Sequence, residues 1–468
     1  MNRNCLKYIF LLTLLSAALF SCRITKSYKR PDVNTNGLYR DQQSTDTATM
    51  ASVPWQSLFA DTILKSLIQE GLSNNLDLKT AVQKILEAQA ALQQSKAGFF
   101  PSLSGNASVQ RSKQSQAGLN FPPGININTL TTTYQAGLST SWEADVWGKL
   151  SSTKRAALAS FLQSDAAKRA VQTQLIADIA NNYFSLLALD KQLEITQQTL
   201  KNRIQDVETM KELKAGAVVN GAAVVQSEAN RYAAEVSIPD IKRSIRETEN
   251  ALDILLSRPP GPITRSTLTD QKVVIELQTG IPTQLLTNRP DVQQSELAFR
   301  AAFENTNLAR TYFYPSFTIT ASGGLSTLSL KDFFNKSIFY NAAAGLTQPI
   351  FNQGINKARL HTAQAQQQEA LNSFQKTLLV AGQEVSNALY AHETAVEKQD
   401  ARSKQIIALQ KSVDYTQELL RYSSATNYTD VLTSEQTLLA AQLSGVSDKL
   451  QELQAIVNLY RALGGGWR

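Results

Sequence analysis

The fold is decided by residues 149–215, which read KLSSTKRAALASFLQSDAAKRAVQTQLIADIANNYFSLLALDKQLEITQQTLKNRIQDVETMKELKA. These 67 residues contain no glycine and no proline, and residues that favour helices predominate. One continuous helix of this length would extend about 100 Å, at ~1.5 Å per residue. Apolar residues recur in it at intervals of seven, at Leu186, Leu193, Leu200 and Val207. The stretch therefore predicts a coiled-coil helix that is too long for a compact domain.

The first residues predict a secretory signal over 1–21. Arg3 and Lys7 open a basic start, and the apolar run Tyr8–Phe20 is too short to span a bilayer. The run leads into Leu-Phe-Ser-Cys22, which resembles a bacterial lipobox, so we predict cleavage before Cys22 and a lipid on its sulfur. The rest of the chain has no run of 18 apolar residues, and the sequence predicts no transmembrane helix.

Composition and motifs argue against several function classes. The chain has 46 basic and 39 acidic residues, a formal charge of +7, and no basic block of the kind that binds nucleic acid. His361 and His392 have no metal-ligand cluster around them, and the glycine-rich nucleotide motifs are missing. Residues 151–154 fit the pattern SxxK, but the partner motif KTG of that chemistry is missing. We therefore predict no enzymatic activity, no cofactor and no metal site.

The chain is internally duplicated. Residues 77–101 read DLKTAVQKILEAQAALQQSKAGFFP, and residues 291–315 read DVQQSELAFRAAFENTNLARTYFYP. Further along, residues 213–228 match residues 420–435 at an offset of 207. The predicted organisation is a signal at 1–21, a lipid-anchored extended segment at 22–60, repeat 1 at 61–257, a proline-rich linker at 258–289, repeat 2 at 290–463 and a tail at 464–468.

Each repeat contains two alternating segments and a helical hairpin. We predict strands at about 102–110, 133–146, 316–326 and 338–350, because apolar and polar residues alternate there. The hairpin tips are predicted at about 216–221 and 423–428. We also predict one helix over 61–98, and a break in each return helix, at Pro239 and at Gly445. The alternation fits membrane strands with an apolar lipid face, and it equally fits a soluble two-layer sheet.

Geometry separates these two alternatives. Four strands cannot close a barrel, and an open strand edge is not tolerated in lipid. Several chains must therefore share one barrel. Two chains supply eight strands, and side chains would fill the interior of such a barrel. Three chains supply twelve strands and leave room for a pore.

Five segments resemble the TolC-like outer-membrane efflux channels, in the lipoprotein branch of drug-efflux outer-membrane factors. The segments are Ser27–Pro31, Trp55–Leu86, Tyr183–Ile195, Asn288–Val292 and Leu463–Trp467. The resemblance implies a mainly α chain with membrane β, in which a homotrimer forms a 12-stranded β-barrel on a long periplasmic α-barrel. It also implies a Gram-negative outer membrane, a periplasmic membrane-fusion adaptor, and an inner-membrane transporter of the resistance-nodulation-division type that supplies the energy.

The resemblance places a gate at the periplasmic hairpin tips, where a trimer brings three copies of each residue together. An aspartate that the family often carries after the second turn falls on Thr433 here, so Asp430 and Glu435 are the acidic candidates. Arg421 and Tyr422 resemble residues that tether closed helices. Solvated charges or pairs within one helix are the competing interpretation for Asp430 and Glu435. The candidate adaptor contacts at the tips are Gly216, Asn220, Gly221, Ser424 and Asn427.

The predicted function is a trimeric exit duct that passes small molecules such as drugs. Two alternatives remain at this point. The same duct would also suit export of metal ions or polypeptides. A lipid-anchored coiled-coil scaffold without a pore is the other alternative, although a scaffold has no need of alternating strands.

Overall fold

A computed structural model describes residues 24–40, 46–115, 118, 128–271, 277–422 and 428–468 of the chain. The predicted signal and Cys22 lie outside the described residues. Within them the longer helices are α1 Thr62–Asn74, α2 Leu76–Ala97, α3 Lys149–Ala215, α4 Gly221–Leu256, α5 Pro290–Thr311, α6 Ile355–Tyr422 and α7 Tyr428–Ala462. The strands are β1 Ser102–Lys113, β2 Leu130–Ala144, β3 Ser316–Thr327 and β4 Ile338–Thr347. Short helical turns occupy Met50–Ser52, Trp55–Leu58, Leu268–Asp270, Pro282–Gln284, Leu285–Asn288 and Leu330–Asp332.

The order of the elements confirms the predicted duplication. Repeat 1 runs α2, β1, β2, α3, α4, and repeat 2 runs α5, β3, β4, α6, α7. Corresponding helices match in length, since α2 and α5 have 22 residues each, α3 and α6 have 67 and 68, and α4 and α7 have 36 and 35. The chain is mainly helical, with long helices and four strands, as the sequence predicts. None of the helices in the described ranges has the length and apolar character that crossing a membrane requires.

The chain divides into two compact units, and the first contains the sheet. This unit comprises the described residues within 24–32, 85–163 and 295–373. Its four strands are all antiparallel and lie in the order β1-β2-β3-β4. Within the described residues, β1 and β4 each pair on one side only, so the sheet has two unpaired edges.

The strand register gathers the apolar residues on one face of the sheet. Leu138 lies between Gly105 and Gly323, and Gly323 in turn pairs with Tyr340. Large apolar side chains on this face are exposed, and Tyr340 reaches 89%. They are Leu103, Val109, Leu138, Ile319, Ile338, Tyr340 and Leu346. The opposite face carries serine, threonine and asparagine side chains. An apolar face with no core beneath it is the main anomaly of this unit.

The start of α3 is fixed by the turn that follows β2. The carboxylate of Asp145 accepts hydrogen bonds from the backbone N–H groups of Leu150 at 2.8 Å and Ser151 at 2.9 Å. The indole N–H of Trp147 donates to the carbonyl of Pro315 at 2.7 Å. The carboxylate satisfies amide groups that the first helical turn leaves unpaired, and so β2 ends and α3 begins here.

The second unit holds the helical core and comprises the described residues within 33–84, 164–294 and 374–468. Its centre is the face of α3 around Ile179, Tyr183 and Leu186, each with no exposed surface. The Tyr183 hydroxyl donates to Asp61 at 2.7 Å, and the Asp61 carboxylate also accepts from Ser266 and Gln271. This side-chain network ties α3 to the segment before α1 and to the region between the repeats.

Two of the segments that carry the resemblance meet in this unit. Arg289 is 4% exposed and forms ion pairs with Asp291 at 2.5 Å and Glu384 at 2.7 Å. The indole N–H of Trp467 donates to the carbonyl of Asn288 at 2.9 Å. These residues close the chain terminus onto the start of repeat 2, which is a structural role.

Two helix predictions are wrong. The predicted helix over 61–98 divides at Asn75, whose side chain donates to the carbonyl of Leu255 and accepts from the N–H of Leu78. The asparagine thereby caps α2. The predicted breaks at Pro239 and Gly445 do not occur, because α4 and α7 run through both positions. Packing of the long helices outweighs the local cost of the two residues.

Candidate functional site at the hairpin ends

The turn between α3 and α4 forms the end of the first hairpin. The N–H of Gly216 donates to Glu212 O at 3.0 Å, and the N–H of Val218 donates to Leu213 O at 2.9 Å. The left-handed residue is Ala217, with φ 57°, and not the neighbouring glycine. These bonds satisfy carbonyl groups that the end of α3 leaves unpaired.

The predicted adaptor contacts of this turn are all accessible to some degree. Gly216 and Asn220 are exposed, and Gly221 is partly exposed. Asn220 caps α4 by accepting from the N–H of Ala223 at 3.2 Å. Ser424 and Asn427, predicted for the second turn, lie outside the described residues. The adaptor role of these five residues remains a prediction.

The second hairpin packs against the first through Tyr428, the first residue of α7. Tyr428 is 8% exposed and forms an apolar cluster with Met210 of α3 and Val224 of α4. We call this group the hairpin-end cluster. Partly buried apolar residues packed against it are Leu213, Val219, Ala223 and Leu420. The cluster joins an end of repeat 1 to the corresponding end of repeat 2.

A polar layer lies beside the hairpin-end cluster. Glu435 of α7 accepts a hydrogen bond from the side-chain amide of Gln417 at 2.9 Å. Arg203 of α3 is buried and donates to the carbonyl of Asn230 at 2.5 Å. Asp206 lies one turn further along α3. One of its carboxylate oxygens is shielded from solvent and receives no hydrogen bond from an N–H or O–H group of the described residues. Buried polar atoms are usually paired, and so this oxygen calls for an explanation.

Electrostatics makes Asp206 the unusual residue of the layer. Burial, the charge of Glu435 and a hydrogen bond with Glu435, in that order, raise the pKa of Asp206 to about 7. Arg203 and Arg421 oppose the rise without cancelling it. Burial also raises the pKa of Tyr428. Two carboxyl groups in one half-buried place cannot both ionise without cost.

The predicted gate residues therefore separate into two groups. Glu435 and Arg421 both act on Asp206. Asp430 and Thr433 are exposed, and the Thr433 hydroxyl donates to the carbonyl of Thr429 in its own helix at 2.8 Å. Tyr422 is 85% exposed at the end of α6. A gating role for these residues remains a prediction.

Sequence reasoning missed Asp206, although a signal for it existed. At the offset of 207 that relates the hairpins, the counterpart of Asp206 is Val413, which is 6% exposed. A carboxylate thus occupies a place that the other copy fills with a buried apolar residue. Such a local violation of the packing pattern is typical of functional positions.

The same helices enclose a groove. It has a volume of about 920 Å³ and is lined by α3, α6 and α7, with Gln417 and Glu435 among its residues. Arg402 and Asp448 form an ion pair at 2.9 Å on its wall. Among the described residues, no three histidine, cysteine, aspartate or glutamate side chains come together as metal ligands.

Comparison with known proteins gives a consistent result. The family model described as outer membrane efflux protein matches residues 67–258 and 281–465. The chain is 28% identical to the cation efflux system protein CusC of Escherichia coli O6:H1, over 97% of this chain and 98% of the relative. It is 29% identical to the antibiotic efflux pump outer membrane protein ArpC of Pseudomonas putida, over 98% and 96%. The open state of the Neisseria gonorrhoeae MtrE outer membrane channel superposes with a TM-score of 0.83 at 28% identity, covering 96% of this chain and 99% of that one.

Proposed function

The chain belongs to the outer membrane efflux protein family, and from this premise we propose that three copies form the exit duct of a tripartite efflux pump. As a member of this family it is an outer-membrane channel and not an enzyme. In the proposal each copy is anchored by a lipid on Cys22. A periplasmic membrane-fusion adaptor and an inner-membrane transporter of the resistance-nodulation-division type deliver the cargo.

The exposed apolar face of the sheet is the observation that carries this proposal. A water-soluble protein buries such a face against a core, whereas lipid is a favourable environment for Leu103, Ile338 and Tyr340. The hydroxyl-rich face on the other side suits a water-filled lumen. A lipid-anchored scaffold gives no reason for this arrangement of the four strands.

The unpaired edges support assembly of several copies. In lipid every backbone N–H and C=O group needs a partner, and β1 and β4 each leave one edge without any within the described residues. Pairing β1 of one copy with β4 of the next satisfies both edges. Three copies then supply twelve strands, which leave an open lumen, whereas the interior of eight strands fills with side chains.

We propose small molecules such as drugs as the cargo. CusC and ArpC are named for cations and antibiotics, yet their identities to this chain differ by one percentage point. Cargo class therefore does not follow from similarity along the duct, and selection belongs to the transporter. Export of metal ions or polypeptides through the same duct is the alternative, and comparing the resistance of deletion strains to each class separates them.

The assembly is tested by cross-linking the two edge strands. Asn106→Cys on β1 and Asn341→Cys on β4 place thiols on the hydroxyl-rich face, in one chain that carries both changes. A bifunctional maleimide is expected to give dimers and then trimers, with no larger species. A matched control pairs Asn106→Cys with Ser139→Cys on the inner strand β2, which is expected to give only links within one chain. Products that continue beyond the trimer, or no product between chains, would contradict the proposal.

The proposal places the gate at the hairpin ends. Acidic side chains near a threefold axis attract cations, and Asp430 and Glu435 are the candidates in the described part of the second hairpin. Conductance of the purified protein in planar bilayers is expected to lose cation preference in Asp430→Asn and Glu435→Gln. Unchanged selectivity in both variants would contradict a gate at these residues. A wild-type protein without any conductance would contradict the proposed channel itself.

A further inference from the structure

Asp206 lies on α3 directly before Val207, one of the apolar positions of the heptad pattern. Its neighbours on α3, Val207 and Met210, are each 2% exposed, and its duplicated counterpart is the buried Val413. One carboxylate oxygen of Asp206 is shielded from solvent and receives no hydrogen bond from an N–H or O–H group of the described residues. An ionised carboxylate left in such a place is costly, because it loses water without gaining hydrogen bonds.

The second hairpin brings another carboxyl group to Asp206, that of Glu435, whose charge and hydrogen bonding act on it. The side-chain amide of Gln417 donates to one oxygen of Glu435 at 2.9 Å, which fixes the orientation of that carboxyl group. A carboxylate accepts hydrogen bonds but does not donate them, so two ionised groups cannot bond to each other. One proton placed between Asp206 and Glu435 removes this conflict and supplies the missing donor.

The other charged groups around Asp206 do not compensate it. Arg203 lies on the same helix, but it is engaged with the carbonyl of Asn230, and its Nε finds no acceptor. Arg421 at the end of α6 attracts Asp206 only from an exposed position. Tyr428 of α7 is held in the hairpin-end cluster. In the described part of the chain, Arg203, Arg421, Tyr428 and Glu435 are the ionisable groups that interact with Asp206 from α3, α6 and α7.

We propose that Asp206 and Glu435 share one proton, and that this proton fastens the hairpin of repeat 1 to the hairpin of repeat 2 at their common end. Asp206 is then a positioning residue for the hairpin ends, acting together with Glu435. The bearing of this contact on conduction rests on the proposed function, whereas the contact itself does not.

The shared proton makes the contact dependent on pH in a defined direction. In the packed state the pKa of Asp206 is about 7, against 3.8 for a solvated aspartate. Between these values the packed state binds a proton that the separated state releases, so acid favours packing. The stabilisation is fully present below pH 3.8 and is lost as the pH rises through about 7. The equilibrium constant for separating the two hairpins at this contact changes at most about tenfold for each pH unit in that window.

Hydrogen–deuterium exchange of the full-length protein in detergent tests the contact. After correction for intrinsic exchange rates, amides at 203–212 and at 428–437 are expected to exchange at least tenfold faster at pH 7 than at pH 5. Asp206→Asn replaces the shared proton by a permanent amide donor, so its exchange is expected to be slow at both values. Glu435→Gln introduces the same amide donor from the other hairpin. It is expected to give the same result, and it replaces Asp206→Asn if that variant does not fold.

Glu208→Gln is the matched control, because Glu208 lies two residues along α3 and forms an exposed ion pair with Lys211. It is expected to retain the pH dependence of the wild type. The proposal is overturned if corrected exchange in the wild type does not change with pH, or if Asp206→Asn and Glu435→Gln keep the wild-type dependence.

A conductance series separates this inference from the proposed function. Wild-type protein is expected to conduct more at pH 8 than at pH 5, and Asp206→Asn is expected to show no such difference. A protein that conducts with the same pH dependence in both forms refutes the role of the proton in gating. A protein that does not conduct in either form refutes the duct, while the exchange result still decides whether the proton is shared.

Discussion

The glycine pair in the middle of the sheet supports a sharp prediction about strand packing. Gly137 of β2 and Gly324 of β3 lie opposite each other. A Cβ atom added at Gly324 would lie 2.2 Å from the carbonyl oxygen of Ala136 and 2.5 Å from the Cα of Gly137. Both obstructing atoms belong to the backbone, so no rotation of a side chain relieves the contact. The substitution Gly324→Ala must therefore push β2 and β3 apart.

The expected loss follows from the cost of overpacking. Inserting one methyl group against atoms that cannot move aside costs about 1–3 kcal/mol, and distances this short favour the upper end. Gly345→Ala on β4 is the matched control, because a Cβ there meets nothing within 4 Å. Both glycines lie on the hydroxyl-rich face of the sheet. Alanine at position 345 is expected to be neutral, or to stabilise by ~0.4–1 kcal/mol by restricting the unfolded chain.

The assay is urea unfolding of the detergent-solubilised protein, followed by tryptophan fluorescence. Trp142 lies on β2, and its indole N–H donates to the carbonyl of Phe99 at 2.9 Å, so movement of β2 changes its surroundings. The free energy of unfolding is expected to fall in Gly324→Ala and to hold or rise in Gly345→Ala. Equal values for Gly324→Ala and the wild type, or equal losses in both variants, would refute the reasoning.

Three further substitutions test the helical unit. Tyr428→Ala removes the ring from the hairpin-end cluster and is expected to weaken local packing by roughly 3 kcal/mol, seen as faster amide exchange in α7, whereas Tyr428→Phe should keep it. Arg289→Met leaves Asp291 without its ion-pair partner, while Glu384 keeps its ion pair with Arg461, and is expected to lower the free energy of unfolding in urea by ~1.5–3 kcal/mol, against less than ~0.5 for the exposed Arg243→Met. Burial opposes ionisation of Asp61, but its hydrogen bonds outweigh burial and lower its pKa below 3.8. The wild type therefore loses stability as the pH falls through that lowered pKa, so Asp61→Asn should be destabilised at pH 7 by ~1–3 kcal/mol and the difference should shrink in acid titrations.

The repeat architecture was predictable because it depends on patterns that survive in a single sequence. Period-two alternation marks the strands, and the copies at 77–101 and 291–315 show the duplication. The division at Asn75 was missed because no glycine or proline stands there, although asparagine is a favoured N-cap and accepts from the nearby N–H of Leu78. Its second bond, to the carbonyl of Leu255 far along the chain, has no local signal. At Pro239 the sequence predicts a break that does not occur, since this proline lies inside a long packed helix without ending it.

The candidate site shows a different limit. Glu435 was found because it follows a recognisable turn, whereas Asp206 looks like one more charge on an amphipathic helix. Its burial is created by α7, which packs on α3 from the other repeat, and no local pattern in α3 reports that contact. Comparison with Val413 in the second copy is the one sequence signal that singles it out. Similarly, Gly216 drew attention at the first turn, but the left-handed backbone falls on Ala217.

The two unpaired edges of the sheet also govern how copies of this chain can add to one another. Contact between β1 of one copy and β4 of another is head-to-tail, so each addition creates a new free edge of the same kind. Only the angle turned at each addition decides whether the series ends. A turn of about 120° returns to the first copy after three steps. Other angles that divide a full turn evenly give rings of another size, and a rotation that does not close gives an open filament. The angle between successive copies therefore sets how many copies assemble, and a substitution inside the sheet that changes this angle would convert a finite ring into an aggregate without altering any residue at the joining edges.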